Sequence, residues 1–297
     1  MSSTPQEAFD YETSLRQLEL TVTHKLEGLL HGEYQAPLAG PGFERGESRQ
    51  YEAGDDARRI DWNVTARMNE VYVRQTIADR ELETWLVIDA SASLDFGTNT
   101  RRKRELALIV AGAFGLLGAR AGNRVGALVF DGGGRQIIAP RAGRKAVMQL
   151  LWRIDQRPVD ASQASLADAL RTVRATARRR GRVVVISDLI DEGPWAAELR
   201  TLAARHDVIV AEVSDPREWS LPAAGLLTLV DPETGRRLEV QTSDPRIRAR
   251  FAEVSAGRRR EVQSAVRGSG ARFLEVSTDR DWMVDLVRFV TTTRRGA

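Results

Sequence analysis

The chain has 297 residues, of which 42% are hydrophobic and 29% charged, as is typical of a soluble globular protein with one large core. It contains no cysteine, which excludes disulfide bonds, iron–sulfur clusters and thiolate nucleophiles and favours a reducing compartment. Its three histidines are too few and too scattered for a typical zinc site, and the net charge of +3 is modest.

The sequence gives no indication of membrane insertion. The N-terminus has no basic stretch followed by an apolar run, so we expect no signal peptide. The longest uncharged apolar stretch, residues 106–119, is shorter than the roughly 20 residues that a membrane-spanning helix needs. We therefore expect a cytoplasmic protein.

The 44 basic residues include only three lysines, Lys25, Lys103 and Lys145. Arginine forms bidentate contacts with carboxylates and phosphates, so acidic partners and nucleic acid both have to be considered. However, the basic runs are short, lack interleaved aromatic residues and stand among 41 acidic residues. We therefore favour a mixed charged surface over nucleic-acid binding.

The N-terminal part, residues 1–83, is predicted to contain a helix and a small segment that packs on the main domain. An amphipathic helix is predicted over residues 13–30, because apolar residues recur there at spacings of three and four. These residues are Leu15, Leu18, Val22, Leu26 and Leu29. A loop rich in glycine and proline follows, then a charged segment whose last part, residues 71–75, could be a strand.

From residue 84 onward, short apolar runs alternate with helical stretches. The predicted strands are TWLVID, RVGALVF, RQIIAP, RVVVIS, DVIVAEV and ARFLEV, and the predicted helices lie near 101–120, 144–156, 165–180, 194–204, 245–267 and 281–293. This alternation predicts an α/β domain over residues 84–297, with a mostly parallel, doubly wound sheet of the Rossmann type. A hairpin is predicted as an insertion near 225–241, with Asp-Pro-Glu-Thr-Gly as its turn.

The first strand of this series ends in a cluster of oxygen-bearing side chains, Asp89, Ser91 and Ser93. Ligands of open parallel sheets bind at the carboxyl ends of the strands, and hard oxygen donors suit Mg²⁺ or Mn²⁺. We expect two further residues to converge there: Ser165, at the start of a helix, and Asp188, after the strand RVVVIS. The alternative is that Asp89 and Ser91 form a turn that caps the next helix.

This pattern resembles the metal-ion-dependent adhesion site of von Willebrand factor A domains, which reads Asp-x-Ser-x-Ser, then threonine or serine, then an aspartate after a later strand. The resemblance implies that Asp89, Ser91, Ser93, Ser165 and Asp188 hold one divalent ion, and that a carboxylate of a partner protein completes its coordination. At the second position this chain has alanine-serine instead of glycine-threonine. Serine keeps the oxygen but lacks the restricted rotamer of threonine.

A second resemblance covers about residues 40 to 290. The segment Gly54–Trp62, with the sequence GDDARRIDW, resembles the hallmark of a bacterial family catalogued as domain of unknown function number 58. Members of that family are similar to von Willebrand factor A domains and are commonly encoded beside MoxR-type ATPases of the AAA class. The resemblance therefore implies a MoxR-type AAA ATPase as the protein partner.

The charges of this segment also predict a local structure. Acidic and basic residues alternate in it, which indicates ion pairs that tie the N-terminal segment to the α/β domain. These residues are Asp55, Asp56, Arg58, Arg59 and Asp61. Trp62 is expected to be a packing anchor, and a partner-docking surface is the alternative for the whole segment.

Other functions have less support in the sequence. The motifs Gly-x-x-x-x-Gly-Lys-Ser/Thr, Gly-x-Ser-x-Gly and His-Glu-x-x-His are absent, which argues against a nucleotide hydrolase, a serine hydrolase and a zinc protease. A phosphatase with an aspartate nucleophile would usually have a second carboxylate where Ser91 stands. A metal-assisted hydrolase stays open, because a bound ion could activate water. Nucleic-acid binding through the arginine runs 101–104, 178–180 and 258–260 is the other alternative.

Overall fold

The computed structural model of the chain describes residues 48–51, 60–68, 70–74, 82–99, 101–158 and 164–293. The predicted helix over residues 13–30 lies outside the described residues, and so do Asp55, Asp56, Arg58 and Arg59. The described residues therefore comprise most of the main domain and a few short stretches before it.

Strands and helices alternate along most of the described chain. In chain order the strands are β1 (Ser48–Gln50), β2 (Tyr72–Arg74), β3 (Glu83–Asp89), β4 (Arg124–Asp131), β5 (Gly134–Ala142), β6 (Arg182–Ser187), β7 (Asp207–Ser214), β8 (Leu226–Val230), β9 (Arg237–Gln241) and β10 (Arg272–Ser277). The helices are α1 (Trp62–Met68), α2 (Lys103–Arg120), α3 (Arg144–Asp155), α4 (Leu166–Thr176), α5 (Trp195–Ala203), α6 (Pro245–Gly268) and α7 (Trp282–Thr293).

Six of these strands form one sheet in the order β10-β7-β6-β3-β4-β5. Five of them are parallel, and the edge strand β5 pairs antiparallel with β4. Only two residues separate β4 from β5, which is too short for the crossover that a parallel pair requires. The predicted mostly parallel α/β sheet is confirmed.

The central strands are apolar because both of their faces are covered. All residues of β6 are buried, and side chains alternate between two hydrophobic cores. Val184 and Ile186 face the core that contains α2, α3 and α7, whereas Val183 and Val185 face the core that contains α4, α5 and α6. The sheet is therefore doubly wound, as predicted.

Helix α2 lies closest to the centre of the sheet. Its residues are buried on nearly all sides, which explains why it is apolar around its whole circumference. A Cβ atom at Gly118 would lie 3.0 Å from Oγ1 of Thr84 on β3, so glycine allows the helix to approach the sheet closely. Among the described residues, no helix is both long and apolar enough to span a membrane.

The order of strands reverses between β3 and β6. The chain proceeds outward from β3 through β4 to β5, and later outward in the other direction from β6 through β7 to β10. The connections that leave β3 and β6 therefore diverge, which opens a crevice at the carboxyl ends of these two strands. Asp89 ends β3 and Asp188 directly follows β6.

Two small antiparallel pairs complete the described structure. The hairpin predicted near 225–241 is present as β8 and β9, and its turn is closed by a hydrogen bond of 2.8 Å from the Gly235 N–H to the Asp231 carbonyl. The other pair joins β1 to β2, and β2 lies within the strand predicted over residues 71–75.

Candidate metal centre

Asp89 is held at the end of β3 by two hydrogen bonds. Its Oδ1 accepts from the Ser91 backbone N–H at 2.9 Å, and its Oδ2 accepts from Ser187 Oγ at 2.6 Å. The first bond closes a tight turn, as the alternative sequence interpretation expected, but the Ser91 side chain does not cap the helical turn that follows. The second bond ties β3 to β6. Only 7% of Asp89 is exposed, and the bond from Ser187 places its carboxylate between the ends of the two strands.

Ser91 and Ser93 continue the same loop and reach the next strand. Their Oγ atoms lie 3.0 Å apart, and Ser93 Oγ donates to Asp188 Oδ2 at 2.7 Å. Because the hydroxyl proton of Ser93 is used on Asp188, Ser93 accepts the hydroxyl proton of Ser91. The two serines therefore form a short chain of oxygens that leads from the Asp89 loop to Asp188.

Asp188 is fixed by a strained turn after β6. The next residue, Leu189, has a φ of 56°, a left-handed conformation that costs a residue with a side chain about 1–2 kcal/mol. The turn is held because the N–H of Leu189 donates to Ser187 Oγ and the N–H of Ile190 donates to Asp188 Oδ1. Strain of this kind concentrates at functional sites.

Ser165 has a different role in the described structure. It is the N-cap of α4, and its Oγ accepts from the Asp168 N–H at 3.2 Å. Asp191, in the loop after β6, accepts from the Leu166 N–H at 2.8 Å and so brings the start of α4 to this loop. No hydrogen bond within the described ranges connects Ser165 to Asp89, Ser91, Ser93 or Asp188, so its role as a ligand stays a prediction.

Lys103 is part of the centre although the sequence did not single it out. It is 0% exposed, and its Nζ lies 2.8 Å from Asp188 Oδ2 and 2.5 Å from Glu218 Oε1. Burial opposes the charged form of Lys103, but the charges of Asp188 and Glu218 outweigh it and raise the pKa of the ammonium. An available signal was that Lys103 is a lone lysine among the arginines of residues 101–104.

Burial and like charge both disfavour the ionised form of Asp89. Burial raises the pKa of Asp89 to about 7, and the charge of Asp188 adds to this effect, while hydrogen bonds from Ser187 and Ser91 oppose it. A nearby cation would favour the ionised form of such a carboxylate. The electrostatics of the centre therefore suit a positive ligand.

The residues that are brought together fit one divalent ion. Asp89 and Asp188 provide hard carboxylate oxygens, and Ser91 and Ser93 provide neutral ones, the donor types that Mg²⁺ and Mn²⁺ prefer. With Glu218 and Lys103 included, three carboxylates and one ammonium leave a formal charge of two negative units, which a divalent ion balances. Within the described part of the chain, no group of three or more His, Asp or Glu side chains is arranged as a metal site, so such an ion would depend on hydroxyls and water as well.

Of the N-terminal hallmark segment, the structure describes Asp61 and Trp62. Asp61 is buried, its backbone N–H donates to the Tyr72 carbonyl at 2.7 Å, and its Oδ1 accepts from the Val64 N–H at 3.4 Å. Asp61 therefore joins the start of α1 to β2. Trp62 is 69% exposed, which does not fit the packing role expected from the sequence; the docking alternative stays a prediction.

Comparisons with known proteins identify relatives of the chain. A family model described as protein of unknown function DUF58 matches residues 47–261. An uncharacterized protein of Mycobacterium tuberculosis is 47% identical over 287 residues, which cover 96% of this chain and 90% of the relative.

Solved structures with a similar arrangement include two proteins of low sequence identity. The conserved hypothetical protein BatB of Bacteroides thetaiotaomicron is 15% identical with a TM-score of 0.46, and the match covers 72% of this chain and 99% of that one. The manganese-loaded TRAP protein of Plasmodium vivax is 12% identical with a TM-score of 0.32, over 44% of this chain and 57% of that one. The fold assignment therefore rests on the strand order and strand directions of the central sheet.

Proposed function

The chain belongs to the family of proteins of unknown function DUF58, and we propose for it a specific function that family membership alone does not define. The protein is a metal-ion-dependent module that binds a partner protein, with an adhesion or adaptor role rather than a catalytic one. The observation that carries the proposal is the convergence of Asp89, Ser91, Ser93 and Asp188 where the strand order reverses. This is the place where open α/β sheets bind ligands.

The side chains of the centre are arranged to hold and orient an ion. Asp89 and Asp188 supply negative charge from neighbouring strands, and the hydroxyls of Ser91 and Ser93 lie between them. A bound Mg²⁺ or Mn²⁺ would supply an electron-poor coordination position for a carboxylate of the partner. Ser187 and the Ser91 backbone fix the Asp89 carboxylate, so the ligand set is rigid before any partner arrives.

The arrangement favours binding over hydrolysis. The hydroxyl proton of Ser93 goes to Asp188, and that of Ser91 goes to Ser93, so neither serine is paired with a histidine that could activate it as a nucleophile. His206, the one histidine that the described ranges include, directly precedes β7 and so lies at the amino ends of the parallel strands, at the opposite end of the sheet from the centre. The serines therefore serve the proposal better as oxygen ligands.

The proposed partner is a MoxR-type AAA ATPase that presents an aspartate or glutamate side chain to the ion. Support comes from the hallmark sequence GDDARRIDW, because proteins that carry it are commonly encoded beside such ATPases. We propose the cytoplasm as the site of action, since a cysteine-free sequence suits a reducing compartment.

Co-purification with the MoxR-type ATPase of the same organism tests this function. We expect wild type to retain the ATPase in Mg²⁺, to lose it in EDTA and to regain it when Mg²⁺ is restored. Asp89→Asn and the double variant Ser91→Ala/Ser93→Ala should lose binding by at least about tenfold, because each removes ligands of the ion. Ser165→Ala shows whether Ser165 belongs to the ligand set.

The matched control is Glu83→Gln, at the other end of the same strand. Glu83 Oε2 accepts from Trp85 Nε1 at 3.1 Å, and glutamine keeps an oxygen for that bond, so the variant should bind as wild type does. Circular dichroism establishes that each variant is folded. Undiminished retention of the ATPase by folded Asp89→Asn protein would reject metal-dependent binding.

A further inference from the structure

Lys103 occupies the metal centre from the side of α2. It is the first residue of that helix, and its backbone N–H donates to the Phe96 carbonyl at 2.9 Å, which fixes it beside the loop after Asp89. A buried ammonium is strongly destabilising unless it is paired. Its two carboxylate partners, Asp188 and Glu218, therefore determine where the ammonium can lie.

The ammonium uses the same oxygen that faces the serine ligands. Asp188 Oδ2 accepts from Ser93 Oγ at 2.7 Å and from Lys103 Nζ at 2.8 Å, whereas Oδ1 accepts only the longer bond of 3.2 Å from the Ile190 N–H among the bonds of the described residues. A divalent ion that takes Asp188 as a ligand thus meets a positive charge already bound to that carboxylate. Two cations on one carboxylate repel each other, whichever of its oxygens each contacts.

Glu218 connects the same ammonium to the turn after β7. Glu218 Oε2 accepts from the Asp215 N–H at 2.8 Å, which closes the capping box of the short helical turn Pro216–Glu218. Asp215 is fully buried and accepts from Thr98 Oγ1 at 2.7 Å and Thr278 Oγ1 at 2.6 Å. Asp188 is therefore linked through one lysine to a densely hydrogen-bonded turn.

We propose that Lys103 is an internal competitor of the divalent ion for Asp188, and that ion binding displaces its ammonium from Asp188 and transfers it wholly to Glu218, which alters the turn Pro216–Glu218. The inference rests on the proposed metal-dependent function and adds its regulation. A flexible four-carbon stem lets Nζ move without moving α2, and Glu218 keeps it paired after the transfer. Ion affinity is lowered by this competition, and ion occupancy is communicated to a neighbouring surface turn.

Trp219 provides a signal from that turn. It directly follows Glu218, and the Arg259 guanidinium lies over its ring, with Cζ 5.2 Å from the ring centroid. A change at Glu218 alters this stacking and hence the environment of the half-buried indole. Trp219 emission should therefore respond to ion binding.

Calorimetric titration with Mg²⁺ and Mn²⁺ tests the competition in wild type, Lys103→Met and Lys145→Met. Methionine preserves the length of the stem but removes the charge, so the ion dissociation constant of Lys103→Met should fall at least about tenfold. Lys145 is exposed at the start of α3, which follows β5, and the end of β5 pairs with the start of β4, so Lys145 lies toward the opposite end of the strands from the centre. Lys145→Met should therefore titrate as wild type does.

The outcomes distinguish competition by Lys103 from the proposed metal-dependent binding. Equal ion affinity of wild type and Lys103→Met overturns the competition and leaves metal-dependent binding in place. An absence of ion binding in all three proteins overturns both. If Lys103→Met does not fold, wild type and Trp219→Phe serve as a second pair, because the difference between their fluorescence titrations isolates Trp219. Calorimetric ion binding by wild type without any Trp219 signal refutes the transfer toward Glu218.

Discussion

Glu212, a buried carboxylate near the candidate metal centre, differs from Asp89 and Asp188 in that one of its oxygens lacks a hydrogen bond. It lies on β7, is 2% exposed, and its Oε2 has no hydrogen-bond partner among the described residues. Burial raises the pKa of Glu212 to about 7, opposed by the charge of Arg259 and assisted by Glu275, Glu218 and Asp188. The folded protein therefore holds a proton on Glu212 that an unfolded chain releases at lower pH.

Replacement of this residue by glutamine should change how stability depends on pH. The ordinary glutamate pKa is 4.5 and the folded value is about 7, so between these values the folded state binds more protons, and the unfolding free energy of wild type falls as pH rises. Glu212→Gln cannot ionise. Its stability relative to wild type should therefore increase by about 1–3 kcal/mol between pH 4.5 and pH 8.

Urea denaturation of both proteins at a series of pH values measures this difference. Asp89, whose pKa is also raised, is present in both proteins, so its effect cancels in the comparison. A stability difference that stays constant across this range would show that folding does not raise the pKa of Glu212.

Site residues were predictable where they belong to a local sequence motif. They were not predictable where their role depends on an ion pair with a residue far away in the sequence. Asp89, Ser91, Ser93 and Asp188 were found because they end predicted strands, and the structure connects them. Lys103 was missed because a basic run at a helix start is usually a solvated surface. Its burial depends on Glu218, which lies 115 residues further along the chain, and no local spacing contains that information.

At the scale of elements, the centre depends on the close pairing of β3 with β6. Gly181, directly before β6, lies against the start of β3, where a Cβ atom would overlap the Glu83 carbonyl oxygen. That oxygen belongs to the backbone of a central strand and cannot rotate away. Glycine is therefore required at this position for close packing, and not for a special turn.

Two glycine-to-alanine variants should shift stability in opposite directions. Gly181→Ala should destabilise the protein by about 1–3 kcal/mol, because it forces β3 and β6 apart at their first residues. Gly257 lies within α6 and has nothing within 4 Å of its Cβ position, so Gly257→Ala should stabilise by up to about 1 kcal/mol through helix propensity. Thermal unfolding measures both, and a Gly181→Ala protein as stable as wild type would contradict this account.

The helices and strands themselves were largely predictable, because apolar residues are spaced differently in buried strands and in amphipathic helices. The predicted helix near 281–293, for example, is observed as Trp282–Thr293. The predicted helix over 165–180 ends earlier, at Thr176, where Ala177 leaves helical geometry. The series of apolar runs did not reveal that β5 is antiparallel; only the short connection after Asp131 contained that signal.

At the scale of the whole molecule, ion binding and folding should be linked. The candidate ligands come from the ends of β3 and β6, so they are assembled only in the folded chain. A ligand that binds only the folded state at 100 times its dissociation constant adds about 2.7 kcal/mol to the unfolding free energy. For a protein of this size we expect the melting temperature to rise by about 4 °C.

Thermal melts over a series of Mg²⁺ and Mn²⁺ concentrations test this linkage. Once the sites are filled, the melting temperature of wild type should rise with the logarithm of ion concentration, whereas that of Asp89→Asn should not. Calcium-free buffer with EDTA gives the baseline for each protein. Identical curves for the two proteins in both ions would count against a metal centre at Asp89.

The strand order also has a consequence for how the protein is made. Ser93 and Asp188 are hydrogen-bonded although 95 residues separate them in sequence, and β6 enters the sheet beside β3 only after β4 and β5 have been synthesised. A nascent chain that has left the ribosome as far as β5 therefore carries only part of the ligand set. Such long-range pairing forms late in folding. If the proposed ion-mediated binding holds, truncated or misfolded copies should consequently be unable to engage the proposed ATPase partner, and only completed molecules would bind it.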